Sequence, residues 1–167
     1  MQAAPQMSTR RGCDSRLACE PQIAISDVRM MDGTGSFANT LQRSRGTADV
    51  VFRENALDRL YQSGAAKALL PRSHGPAHEI VLVNTAGGIT GGDAFCYDCS
   101  ADASHLLVTT QAAERAYASN TTDIASLNVR LSARNGGAIH WLPQETILFD
   151  QSRLARTIDI DLDVSSE

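Results

Sequence analysis

Residues 80–99 read I-V-L-V-N-T-A-G-G-I-T-G-G-D-A-F-C-Y-D-C, and this stretch decides the fold class. The run from Ile80 to Val83 is continuously apolar, which is typical of a strand buried on both faces. Two glycine pairs then interrupt the apolar pattern, because glycine permits positive φ and close approach of the backbone. The residue types from Phe95 to Cys99 predict a second strand. We therefore expect two strands joined by a tight glycine-rich loop.

The same kind of pattern extends along the chain on both sides of this loop. Apolar and polar residues alternate from residue 125 to 132 and again, without interruption, from residue 158 to 164. We interpret residues 1–20 as a disordered tail and residues 21–167 as part of one β-rich domain. The predicted strands are 48–53, 80–83, 95–99, 106–110, 125–132, 138–142, 146–149 and 158–164.

Two short segments predict helix instead. Leu57, Leu60 and Tyr61 have helical spacing, and the alanine-rich segment 111–118 has the composition of one helical turn. The tetrapeptide R-N-G-G at 134–137 predicts a tight turn that joins the strands on either side of it as a hairpin. The prediction is a mainly β, elongated fold of many short strands with one or two short helices.

The last alternating segment leaves one apolar side in need of a neighbour. Ile158, Ile160 and Leu162 face one way and three aspartates face the other, and the sequence stops at Glu167 without a turn. We therefore expect the β-rich fold to be incomplete at its C-terminus. We also expect the isolated chain to be unstable or prone to aggregation, since an unpaired strand edge promotes association.

Composition limits the classes of partner. The chain has 167 residues and a net charge of −4, and Lys67 is its single lysine, so the basic face of a nucleic-acid-binding protein is not expected. No apolar stretch approaches the roughly 18 residues of a membrane helix, and no apolar core follows the Arg10-Arg11 pair, as a signal peptide would require. We expect a cytoplasmic protein that binds neither nucleic acid nor membranes.

The glycine-rich loop does not match the phosphate-binding motifs. No lysine follows the second glycine pair, the spacing is not G-x-G-x-x-G, and no helix is predicted after the loop to hold a pyrophosphate at its N-terminus. Nucleotide binding is therefore disfavoured. We expect the loop to be structural, with Asp93 accepting hydrogen bonds from backbone N–H groups after the turn.

Two other chemistries stay open. Asp93 and Glu145 are candidates for an acid and a base in a β-rich hydrolase-like enzyme, although nothing selects them over other carboxylates. Cys96 and Cys99 form a C-x-x-C pair that would suit a metal-binding module, but residues three apart on a regular strand point to opposite faces. Imidazole, thiolate and carboxylate groups also make His78, Asp93, Cys96 and Glu145 candidates for transient contact with a metal ion.

Three blocks, in this order and spacing, resemble the UreD family (also called UreH) of urease accessory proteins. They are V-L-V-N-T-A-G-G-I-T-G-G-D at 81–93, L-V-T-T-Q-A-A-E-R-A-Y at 107–117 and W-L-P-Q-E-T-I-L-F-D at 141–150. The resemblance covers roughly residues 23–167 and corresponds to the N-terminal part of the family's sequence. Many relatives carry a lysine within the second block and an arginine after its tyrosine. Here Arg115 precedes Ala116-Tyr117 and Ala118 follows, which puts a basic contact in doubt.

The resemblance implies a non-enzymatic chaperone. Its expected partners are UreF, the GTPase UreG and apo-urease, and its expected cargo is nickel, handled transiently with no stably bound cofactor. The residues it marks as structural or interface positions are Gly87, Gly88, Gly91, Gly92, Asp93, Thr109, Thr110, Arg115, Tyr117, Pro143, Gln144 and Glu145.

Overall fold

The structure, a computed structural model, describes residues 42–72 and 75–167, so the expected tail at 1–20 lies outside the described residues. Strands dominate this part of the chain, and it contains no helix, including none long and apolar enough to span a membrane. The mainly β prediction is confirmed, and the predicted short helices are wrong. The strands are β1 Arg45–Arg53, β2 Ala56–Gly64, β3 Ala66–Leu69, β4 His78–Asn84, β5 Ala94–Asp102, β6 His105–Thr110, β7 Glu114–Ala116, β8 Ala125–Arg134, β9 Ala138–Leu142, β10 Thr146–Leu148 and β11 Leu154–Leu162.

The strands form three sheets around one interior. A five-stranded sheet has the order β11-β8-β5-β1-β2, a four-stranded sheet the order β3-β4-β6-β9, and β10 pairs with β7 in a two-stranded sheet. From β4 onward the chain passes through the sheets in a repeating order. Each new strand pairs in parallel with the strand of the same sheet in the preceding turn. The three turns of this winding are β4–β5, β6–β8 and β9–β11. The architecture is thus a short parallel β-helix with an antiparallel hairpin, β1–β2, at the side of its largest sheet.

This winding corrects the predicted hairpin. The R-N-G-G turn is present, with Asn135 and Gly136 at positive φ and the Gly137 N–H bonded to the Arg134 carbonyl at 2.9 Å. However, it carries the chain from β8 in the five-stranded sheet to β9 in the four-stranded sheet, and the two strands do not pair. A tight turn fixes only the local change of direction, whereas the pairing depends on residues one turn of the winding away.

Each wrongly predicted helix has a specific cause. In β2, a bulge opposite Val51 and Phe52 lets Leu57 and Leu60 pair with inward-facing positions of β1 although they are three residues apart. Their spacing is therefore helical in appearance only. In segment 111–118, Ala112 has a φ of 52°, which no right-handed helix accepts, and Glu114–Ala116 is the strand β7.

The core lies between the sheets, and its side chains on the five-stranded sheet form rows that run across the strands. Register places Val50, Cys99, Leu131 and Ile160 in one row and Ala48, Tyr97, Val129 and Ile158 in the next. The alternation predicted for 125–132 is confirmed, because every second residue of β8 is buried. The row positions on β11 are the exception, since among the described residues that strand has a neighbour on one side only and is exposed along most of its length.

Candidate functional site

The three sequence blocks lie on top of one another along the narrow side of the β-helix. The glycine-rich loop passes over β7, with the Ile89 N–H bonded to the Arg115 carbonyl and the Tyr117 N–H bonded to the Ile89 carbonyl, both at 2.8 Å. On the other side of β7, the parallel strand β10 carries the third block, and the Glu114 N–H donates to the Glu145 carbonyl at 2.9 Å. Segments more than fifty residues apart in the chain thus form one continuous surface.

Asp93 fixes the base of the glycine-rich loop. Its side chain is buried, and its carboxylate accepts the Ser44 N–H and the Thr90 N–H, each at 2.8 Å. These bonds link the loop to the segment before β1. Because both carboxylate oxygens are already bonded to backbone groups, the acid–base role considered for Asp93 gains no support.

Each glycine pair contains one glycine that is needed for its backbone conformation and one that is needed because no space is left for a side chain. Gly87 and Gly92 have φ values of 81° and 89°, a conformation that disfavours any side chain. Gly88 and Gly91 are needed for space instead. A Cβ on Gly88 would lie 2.3 Å from the Tyr117 ring, and one on Gly91 would lie 2.3 Å from the carbonyl oxygen of Asp123.

The second and third blocks are also joined through their threonines. The Thr109 hydroxyl donates to the Leu142 carbonyl at 2.7 Å, and the Gln144 N–H donates to the Thr110 hydroxyl at 2.9 Å. These bonds hold the segment around Pro143 against the end of β6. The two threonines therefore connect two successive turns of the winding through hydrogen bonds.

The outer side of this stack presents aromatic rings. Tyr117 and Phe149 stack with centroids 5.0 Å apart, and both are substantially exposed. Ile147, in register with Arg115, is exposed too, and Arg115 adds a basic group. We call Arg115, Tyr117, Ile147 and Phe149 the aromatic patch.

The inner side of the stack borders a cavity inside the β-helix. The cavity has a volume of about 420 Å³, which includes the part open to solvent. Its polar lining comes from Asn84, Tyr97, Thr110, Gln111, Glu114, Gln144, Thr146 and Arg156, and its apolar lining from Leu82, Leu127, Val129, Trp141 and Pro143.

Glu114 is the acidic group of this cavity. Burial raises the pKa of its carboxyl, and the Asn84 side-chain amide, the Arg115 backbone N–H and the Arg156 guanidinium act in the opposite direction. The Asn84 amide donates to the carboxylate at 3.3 Å. Asn84, Gln111 and Glu114 also line a second cavity under Gly87 and Gly88, so these three residues stand between an inner and an outer space.

Three further polar groups line the same cavity, from Arg156, Trp141 and Tyr97. Arg156 projects inward from β11 and donates to the Thr146 hydroxyl at 3.0 Å. The buried indole N–H of Trp141 has no hydrogen-bond acceptor among the described residues. Burial, with the nearby Glu114 charge, raises the pKa of Tyr97, so its phenol stays protonated at neutral pH. Donors thus surround the single carboxylate.

The structure does not gather the metal-contact candidates into one site. His78 stacks on Phe52 at the start of β4, Cys96 is buried on β5, Asp93 precedes that strand, and Glu145 precedes β10. Across residues 42–72 and 75–167, no three His, Cys, Asp or Glu side chains come together as a group that could hold a metal ion. Cys99 faces the core in the opposite direction to Cys96, so the C-x-x-C pair does not converge.

Sequence reasoning missed the cavity residues Asn84, Glu114, Trp141 and Arg156. One signal was available for Arg156, which is the only charged residue in a row of β11 that otherwise consists of Leu154, Ile158, Ile160 and Leu162. A basic residue inside an apolar row predicts a polar partner in the interior. The other three residues gave no comparable signal, because their neighbours come from different turns of the winding.

Comparison with known proteins identifies the family of the chain. The family model "UreD urease accessory protein" matches residues 44–167. The chain is 51% identical over 130 residues to the urease accessory protein UreD of Chelativorans sp. (strain BNC1), a match that covers 74% of this chain and 46% of that protein. It is 44% identical over 131 residues to UreD of Agrobacterium fabrum, covering 75% of this chain and 46% of the relative.

A third relative gives the same result. UreD of Ruegeria pomeroyi is 46% identical over 118 residues, which cover 70% of this chain and 46% of the relative. The chain thus spans about half the length of the curated relatives it matches. All three sequence blocks and the cavity between them fall within the matched region, and the chain belongs to the UreD family of urease accessory proteins.

Proposed function

We propose that this chain acts in urease maturation as a non-enzymatic cytoplasmic chaperone that binds apo-urease and, with UreF and UreG, supports nickel insertion. Family membership supports the urease pathway, because the relatives are accessory proteins of urease. The observation that carries the proposal is the position of Glu114, on the wall shared by the inner cavity and the outer cavity below the glycine-rich loop.

The chemistry of this wall suits transient contact with a cation. One carboxylate and the amide oxygens of Asn84 and Gln111 are too few and too weak a ligand set for stable binding of a divalent transition metal. The raised pKa of Glu114 makes the carboxylate easier to protonate, which would speed release of a cation. Nickel is therefore proposed as a passing cargo and not as a resident cofactor.

The aromatic patch is proposed as the surface for a protein partner. Exposed Tyr and Phe rings flanked by an arginine are the residue types that anchor protein interfaces. Tyr117 also packs over Gly88, so a partner bound there would contact the loop that covers the outer cavity. Docking and cation transfer would then involve the same three blocks of sequence.

A co-expression experiment tests the proposal. The tagged chain is produced with UreF, UreG and apo-urease in a host without its own UreD, beside a version extended to full family length. Captured partners and the nickel content of urease are then measured. We expect Tyr117→Ala to reduce capture of UreF at least tenfold, since anchor residues contribute about 2 kcal/mol or more. Tyr61→Ala is the matched control, because Tyr61 is an exposed tyrosine on β2.

Glu114→Gln separates transfer from docking in the same experiment. We expect this variant to capture its partners normally and to lower the nickel content of urease. Unchanged nickel content would remove the cavity from the proposal. Failure of both the chain and its extended version to capture UreF would contradict the chaperone function itself.

A further inference from the structure

The side chain of Asn84, the last residue of β4, bonds to three groups in different parts of the stack. Its Oδ1 accepts the Ala86 N–H at 2.9 Å, and its Nδ2 donates to the Gly88 carbonyl at 3.2 Å and to the Glu114 Oε1 at 3.3 Å. A side-chain amide has two N–H donors, so each acceptor receives its own proton. One side chain thus connects the glycine-rich loop to the carboxylate on the next turn of the winding.

The three partners of Asn84 allow only one orientation of its amide. In the reversed orientation, Oδ1 would face the Gly88 carbonyl and the Glu114 carboxylate, so three acceptors would meet without a proton between them. The Nδ2 group would then face the Ala86 N–H, which is also a donor. The position therefore requires one acceptor and two donors on a short side chain, and asparagine is the residue type that supplies them.

The loop end of this connection lies directly under the aromatic patch. Gly88 packs so closely on Tyr117 that a Cβ at Gly88 would lie 2.3 Å from the Cε2 atom of the ring. The Tyr117 ring in turn stacks on Phe149. Displacing the Tyr117 ring would therefore remove the group that holds Gly88 in place, and the Gly88 carbonyl is one of the two acceptors of the Asn84 amide.

Other groups that act on Glu114 do not reach the loop. Arg156 on β11 attracts the Glu114 carboxylate, and Tyr97 on β5 lies near enough to feel its charge. Neither side chain lines the cavity under the glycine-rich loop, whereas Asn84 and Gln111 line that cavity and the inner one. Of these two, Asn84 is the residue that bonds to both the loop and the carboxylate.

We propose that Asn84 is a positioning residue that couples occupation of the aromatic patch to the carboxylate of Glu114. While the patch is free, Tyr117 holds Gly88 in place, and the Asn84 amide occupies one oxygen of the carboxylate. A partner that displaces Tyr117 loosens Gly88 and, through Asn84, frees this oxygen for a cation. The inference rests on the proposed function, because it sets the order in which docking and cation transfer occur.

A double-mutant cycle on the pKa of Glu114 tests this coupling. The pKa is measured by NMR on the whole chain, labelled with carbon-13 at the glutamate carboxyls. Tyr117→Ala should raise the pKa, because a looser loop weakens the bond by which Asn84 favours the charged carboxylate. Asn84→Ser should raise it as well, since serine keeps an acceptor for the Ala86 N–H and is too short to donate to Glu114. In the Asn84→Ser background, Tyr117→Ala should cause no further rise.

Asn120→Ser is the matched control. Asn120 is an exposed asparagine in the segment before β8, so this variant should leave the pKa of Glu114 unchanged. Equal shifts from Tyr117→Ala in both backgrounds would overturn the proposal, because the ring would then act on Glu114 without Asn84. An unchanged pKa in the Tyr117→Ala variant would overturn it too, since the loop would not be connected to the carboxylate.

The chain without any replacement of Asn84 provides a second measurement, which does not depend on the folding of an Asn84 variant. The resonances of the Asn84 side-chain amide and of the Gly88 carbonyl carbon should both shift with pH at the pKa of Glu114. Glu114→Gln should abolish both shifts. A Gly88 resonance that does not follow the titration of Glu114 would contradict the connection between the loop and the carboxylate.

Nickel loading separates this inference from the proposed function. In the co-expression experiment, Asn84→Ser should capture UreF normally and slow nickel loading of urease by roughly tenfold, as expected for loss of a hydrogen bond to a charged group. Adding it to Glu114→Gln should slow loading no further. Slow loading by Glu114→Gln with an additive pKa cycle would refute the role of Asn84 and leave the proposed function intact. Normal loading by Glu114→Gln with a non-additive cycle would support the coupling and refute cation transfer at Glu114.

Discussion

Strands β8 and β11 are neighbours in one sheet with the same alternating pattern, yet one is interior and the other is exposed. Along the row formed by Val50, Cys99, Leu131 and Ile160, exposure is 0, 0, 2 and 62%. The four residues have similar chemistry and the same orientation. What differs is that Leu131 has a strand on both sides and Ile160 has a strand on one side, so burial here is a property of neighbours and not of the residue.

The largest expected effect on stability comes from shortening a buried and an exposed side chain of this row, Leu131 and Ile160. Leu131→Ala should lower the free energy of unfolding by about 2–5 kcal/mol, because it leaves a cavity in a packed row. Ile160→Ala should cost less than about 1 kcal/mol, since the side chain is mostly in solvent already. Urea denaturation of both variants measures the difference. Equal losses would mean that β11 is covered in solution.

The glycine-rich loop offers a second contrast between a packed and an open position. Gly91→Val should destabilise the protein by about 1–3 kcal/mol or more, because the added Cβ meets the Asp123 carbonyl oxygen. Gly87→Ala should cost about 1 kcal/mol, since no atom lies within 4 Å and only the positive φ opposes the methyl group. Thermal unfolding ranks the two variants. A larger loss for Gly87→Ala would indicate that the loop does not pack on residues 119–123.

The smallest expected effect is on the pH dependence of stability, and it comes from Glu114, which lines the interior cavity. Burial raises the pKa of Glu114 above its ordinary value of 4.5, so the folded state binds more protons than the unfolded state between the two values. Stability therefore falls as the pH rises through that window and stays lower above it. Glu114→Gln removes this penalty and should unfold at a higher temperature than the wild type at pH 7.

Near pH 4, the Glu114→Gln variant should be no more stable than the wild type, because there the Glu114 carboxyl is mostly protonated in the folded and the unfolded state. Glu145→Gln, at an exposed carboxylate before β10, serves as the control and should follow the wild type at both pH values. A Glu114→Gln variant that is less stable at pH 7 would show that the bonds to Asn84 and the attraction of Arg156 outweigh the burial of the charge.

Local features of the fold could be predicted from sequence with little loss. The R-N-G-G turn and the alternating strands depend on residues within a few positions of one another. The predictions of a hairpin across that turn and of a helix at 57–61 were wrong, because both depended on parts of the chain outside the local pattern. A partner strand and a bulge set their outcome, and neither is encoded in the local spacing.

The candidate site shows the same division. Ordered blocks of sequence identified the family and marked structural or interface positions, which are Gly87, Gly88, Gly91, Gly92, Asp93, Thr109, Thr110, Arg115, Tyr117, Pro143, Gln144 and Glu145. Their convergence into one stack was not predictable, because each contact joins residues from different turns of the winding. Glu114 and Arg156 come from β7 and β11, and only the closed winding places both on one cavity.

By itself, the sequence determined that this chain is made of strands, where its tight loop lies, which side chains alternate and to which family it belongs. These properties follow from backbone geometry and residue type over short distances. Only the tertiary structure decided that the described strands wind in parallel without helices between them and that three distant blocks form one surface. Those outcomes depend on contacts between residues about thirty positions apart, for which the local pattern specifies a face but not a partner.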